Sequence, residues 1–80
     1  MSYMFEVYYK PPPNPRKEAE LTAQVSPLGG RLTFREDPNG QGPASVCLTY
    51  EFKDLSHAEA AAQSLRRLGE HVEGPVEYGA

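Results

Sequence analysis

From Ser45 to Phe52 the chain alternates without interruption: Val46, Leu48, Tyr50 and Phe52 fall on one side, Cys47, Thr49 and Glu51 on the other. Successive side chains of a strand point to opposite faces, so this pattern predicts a strand with one buried side and one half-polar side. It is the longest period-two run in the sequence and is rich in β-branched and aromatic residues, which predicts a central position in a sheet. Tyr3 to Tyr9 predicts a first strand, with Tyr3, Phe5, Val7 and Tyr9 inward and Met4, Glu6, Tyr8 and then Lys10 outward. Arg31 to Arg35 predicts another, with Leu32 and Phe34 inward and Arg31, Thr33 and Arg35 outward. His71 to Tyr78 predicts the last, with Val72, Val76 and Tyr78 inward. Gly74-Pro75 assigns that strand to an edge, because proline cannot donate to a central ladder.

Between these runs the period changes. Pro11-Pro12-Pro13-Asn14-Pro15 stops the first strand, and Asn14 followed by Pro15 is a helix start: a capping side chain, then a residue whose fixed φ suits the first turn. Leu21, Val25 and Leu28 recur at i, i+4 and i+7, one helical stripe, and Pro27 ends regular helix near Val25. Residues 16–26 also admit a strand reading, since Leu21, Ala23 and Val25 alternate and Gly29-Gly30 could close a hairpin. The helix formers Lys17, Glu18, Ala19, Glu20 and Leu21 favour helix. Glu36 to Pro43 reads as a loop, with Asn39-Gly40 as turn chemistry. Ser56-His57-Ala58-Glu59 reads as a capping box with Leu55 as its hydrophobic staple. Ala58, Ala61, Ala62, Leu65 and Leu68 then form a buried stripe that Gly69 closes.

The order β-α-β-β-α-β predicts an α+β fold of ferredoxin-like topology: a two-layer sandwich with a four-stranded antiparallel sheet and two helices on one face. Residues 1–80 are expected to form a single domain. The first and third strands would be central and the second and fourth edges. One face of the sheet would then stay open, and the candidate binding residues on it are Met4, Glu6, Tyr8, Arg31, Arg35, Cys47, Thr49, Glu51 and His71. Lys10, Thr33, Glu73 and Glu77 belong to the same face by parity.

Composition narrows the function. The formal net charge is −3, which lacks the basic footprint expected of a phosphate-backbone binder, so nucleic-acid binding is disfavoured. The single cysteine cannot make an internal disulfide, and no stretch reads as a targeting or membrane-spanning segment, so a cytoplasmic protein without membrane contact is expected. So small a domain has no room for a large buried cofactor; a small ligand would sit on a face, at an edge or between subunits. No cofactor and no metal site is expected.

Known users of this topology carry signatures that are missing here. RNA-recognition modules stack bases on several aromatics of the central strands, where this chain offers only Tyr8. Metal-carrying relatives hold a Cys-x-x-Cys after the first strand, and acylphosphatase-like members a glycine-rich phosphate cradle. ACT-type modules also use glycine there. This loop is Lys10-Pro11-Pro12-Pro13-Asn14. His57 reads as a solvated helix-start residue, Cys47 as packing, and Pro12-x-x-Pro15 as a rigid connection. His71, beside Glu70 and Glu73, is the better candidate for proton transfer. The expectation is a small non-catalytic binding or oligomerisation domain that uses the open sheet face, as a homodimer or with a protein partner. A cofactor-independent enzyme with His71, Tyr8 and Glu6 or Glu51 between the sheets of a dimer is the alternative, and weak RNA binding through Tyr8, Arg31 and Arg35 is a second.

Overall fold

The computed structural model describes residues 1–38 and 44–79. In chain order these form β1 (Ser2–Tyr9), α1 (Pro15–Val25) with a 3₁₀ turn (Ser26–Leu28), β2 (Arg31–Glu36), β3 (Val46–Phe52), α2 (Leu55–Arg67) and β4 (His71–Tyr78). The strands build one antiparallel sheet in the order β2-β3-β1-β4. Glu36, read with the loop to Pro43, is the last residue of β2, and the loop from 39 to 43 lies outside the described residues.

Residues 16–26 are helical up to Val25. The Asn14 side chain accepts from the Lys17 amide at 3.1 Å, Pro15 opens the first turn, and the chain tightens into 3₁₀ geometry where Pro27 can no longer serve an α-helical bond. Gly29 then reverses direction at φ 87°, a region open to glycine without a Cβ clash. The second helix starts earlier than the capping-box reading placed it. Asp54, not Ser56, is the cap: its carboxylate accepts from the His57 amide at 3.2 Å and from Ser56 Oγ at 2.6 Å. An aspartate beyond the box can outbid a serine because its charge also suits the positive end of the helix. Leu55 is therefore an exposed first-turn residue and no staple.

The core is one cluster to which both helices contribute. Phe5, Val7 and Tyr9 of β1 and Val46, Leu48, Tyr50 and Phe52 of β3 meet Leu21 and Val25 of α1, Ala58, Ala61, Ala62 and Leu65 of α2, and Val72. The alanines let α2 lie close to the sheet. Leu68, placed on the same stripe from the sequence, is exposed, because it sits at the cap where the helix has already ended. The Tyr50 hydroxyl, at the end of a fully buried ring, lies 2.9 Å from Thr22 Oγ1, so no hydrogen-bonding capacity is stranded.

Two irregularities decide which residues share a face. Leu32 pairs with Tyr50 and Phe34 with Thr49, so β2 spends one extra residue, Thr33, against β3. Met4 pairs with Val76 and Glu6 with Glu73, so β4 spends one extra residue at Gly74-Pro75 against β1. Each bulge shifts the side-chain parity of everything beyond it. Arg35 is thereby corrected from the open face to the core side, opposite Leu48, and Glu77 likewise, opposite Tyr3. Phe34, Val76 and Tyr78, assigned inward by strict alternation, come out on the open face.

Each bulge has an identifiable cause. In β4, Gly74 adopts φ 108°, and a Cβ there would meet the Met4 carbonyl oxygen at 3.0 Å; Pro75 has no amide to lose from the ladder. The Arg66 guanidinium of α2 holds this bend by donating to the carbonyls of Val72 and Gly74 at 3.0 and 2.8 Å. In β2, the shift delivers Arg35 to Glu18 of α1, which it grips through Nε at 2.6 Å and Nη2 at 2.9 Å. Tyr9 donates to the same carboxylate. A carboxylate this sheltered needs such partners to stay ionised.

Candidate functional site

The face of the sheet away from the core is built by four rows that follow the observed register. Glu36, Cys47, Tyr8 and His71 form the first, and Phe34, Thr49, Glu6 and Glu73 the second. Arg31, Glu51, Met4 and Val76 form the third, and Ser2 with Tyr78 closes the corner. Of the residues expected here from sequence, Met4, Glu6, Tyr8, Arg31, Cys47, Thr49, Glu51 and His71 are brought together. Arg35 is not, for the reason given above.

Cys47 needs a second correction. It points to this face but is only 4% exposed, so it offers little surface for binding. Its side chain is short, and it lies among longer neighbours, with Tyr8 directly opposite and the Glu6 carboxylate 3.6 Å from Sγ. Burial, and then the charge of Glu6, push the thiol above its usual range. The Tyr8 phenol is pushed well above its own range, first by burial and then by Cys47 and Glu6. Both groups stay protonated at neutral pH. Tyr8 also stands edge-on to the His71 ring, with centroids 5.7 Å apart, and His71 Nε2 lies 2.9 Å from Glu73 Oε2.

Three exposed apolar side chains that strict alternation hid now belong to this surface: Phe34 at 59% exposure, Val76 at 51% and Tyr78 at 46%. Half-buried Met4 and Tyr8 lie between the edges that carry them. The signals that could have pointed to this were the glycine-proline pair in β4 and the need of Glu18 for a cation.

The electrostatics are one-sided. Glu6, Glu36, Glu51 and Glu73 share the face with a single guanidinium, Arg31. Arg31 is engaged with Glu51 at 2.9 Å, and that contact holds the Glu51 carboxyl below its usual range. Glu6 and Glu73 stand directly opposite each other across β1 and β4, an arrangement of like charges that disfavours the pair.

Elsewhere the polar groups satisfy one another. A cleft of about 690 Å³ at the end of the sheet is lined by Arg31, Glu51, Phe52, Lys53, Asp54 and His57 among others. Arg31 is held by Glu51, and Asp54 serves the helix cap with His57 Nδ1 3.4 Å away. Among the described residues no group of three or more His, Cys, Asp or Glu side chains is arranged to hold a metal ion, and no helix is long and apolar enough to cross a membrane. Compared with known proteins, the chain matches no family model and no curated protein.

Proposed function

We propose that this chain is a small non-catalytic binding domain that docks another polypeptide through the open face of its sheet. The strand order and the β-α-β-β-α-β sequence are read here as a ferredoxin-like sandwich with both helices on the opposite face. The observation that carries the proposal is the pair of bulges. They place Phe34, Val76 and Tyr78 in water on the same surface as Met4 and Tyr8, where regular strands would have turned them to the core side. Aromatic and methionine side chains on an otherwise uncovered face are the usual centre of a protein contact, with charges as the rim. Burial and the nearby Glu6 keep the Tyr8 phenol and the Cys47 thiol protonated, which disfavours either as a base or nucleophile.

A photo-crosslinking side chain placed at Phe34, and separately at Gln63 on the exposed side of α2, tests this. Adducts are expected from position 34, with a partner that forms the same adduct when purified. Adducts from position 63 alone would move recognition to the helices and end this reading.

A further inference from the structure

We infer that the polypeptide docking on this face is cationic, a segment in which lysine or arginine side chains are interleaved with apolar ones. The inference rests on the proposed use of the face and adds the chemistry of its occupant. Four carboxylates against one guanidinium leave the face at −3, which equals the formal net charge of the entire chain. Lys53, just beyond the end of β3, adds a cation near Glu51 at one end of the face. The paired rows of this surface therefore carry a negative excess, and it is the same surface that exposes apolar side chains.

That juxtaposition selects among occupants. A second copy would bring eight carboxylates against two guanidiniums into one buried layer, which desolvation and like-charge repulsion both oppose. A nucleic acid would set phosphates against the same carboxylates. A lysine- or arginine-bearing segment does the reverse. Its charges relieve the Glu6–Glu73 confrontation, meet Glu36, and can lie over the faces of Tyr8 and Phe34. Its apolar side chains would cover Met4 and Val76.

The test uses three short end-blocked peptides that alternate phenylalanine with lysine, glutamine or glutamate, titrated into the full chain and followed by amide chemical shifts. The lysine peptide is expected to bind, to shift the amides of Glu6, Tyr8, Phe34 and Glu73, and to lose affinity steeply as salt rises. Binding should weaken on the order of tenfold in the chain carrying both Glu6→Gln and Glu73→Gln, whose spectrum shows whether it is folded. Glu59→Gln, on the exposed side of α2, should leave the affinity unchanged. Equal binding of the glutamine peptide at the same amides would overturn the cationic occupant while leaving the docking face in place. Shifts confined to the helices would overturn both, and absence of lysine-peptide binding at low salt would overturn the cationic occupant. Self-association in sedimentation that Phe34→Glu abolishes would assign the face to a second copy and overturn the inference.

Discussion

The two central strands and the two edge strands of this sheet obey different rules. β1 and β3 keep their alternation from end to end, whereas β2 and β4 each break it once, at Thr33 and at Gly74-Pro75. A central strand has a hydrogen-bonded neighbour on each side, so an extra residue would disrupt two ladders. An edge strand disrupts one, and its free side can take up the bend. The lesson is that alternation assigns a side chain to a face only as firmly as the neighbouring ladders hold it. At the edges, one extra residue in each strand moved a phenylalanine in β2, and a valine and a tyrosine in β4, from the core side to the open face.

This contrast can be broken at four places, the largest effect first. Phe5→Ala, in a central strand against Tyr50 and Phe52, is expected to cost about 4 kcal/mol in urea unfolding, the usual range for an emptied aromatic site. A loss like that of a surface change would put Phe5 outside the core. Gly74→Ala should cost about 2 kcal/mol, because it sets a Cβ at positive φ against the Met4 carbonyl. A neutral result would mean that the β4 bulge can be rebuilt without a glycine.

Glu18→Gln should cost about 1.5 kcal/mol at neutral pH, since it weakens the contacts to Arg35 and Tyr9. Arg35 chiefly, and Tyr9, hold the Glu18 carboxyl below its ordinary value against an opposing burial effect. The folded state therefore binds fewer protons than the unfolded chain, and the stabilisation is present above the ordinary glutamate range and lost as pH falls through the folded value. Unfolding midpoints measured from pH 6 down to about pH 3 should accordingly fall less steeply in the Gln variant than in the parent. Parallel slopes would show that Glu18 contributes nothing to acid sensitivity. Phe34→Ala, at an edge, should change stability by less than about 0.5 kcal/mol. A loss approaching that of Phe5→Ala would return Phe34 to the core and remove the β2 bulge from the account.

Sequence pattern was sufficient wherever the physics is local or the alternation is enforced from both sides. The faces of β1 and β3, the start of α1 at Asn14-Pro15, its end before Pro27 and the alanine stripe of α2 all follow from neighbouring residues and periodicity. Eight of the nine residues expected on the open face are found on it, although Cys47 is covered there by longer neighbours. The misplacements all come from competition between a local rule and something the rule does not see. Asp54 took the cap that Ser56 could have served, and Arg35 turned inward where Glu18 waited in a distant helix.

What the chain determined by itself was the kind and order of its elements, because helix and strand periods, caps and breakers act over a few residues. What only the tertiary structure decided was the composition of the exposed face. The registers of β2 and β4 depend on partners in other elements, Glu18 of α1 for one and Arg66 of α2 with the Met4 backbone of β1 for the other. A side-chain period of two turns one extra residue into a change of face, so those contacts set which groups the open face exposes.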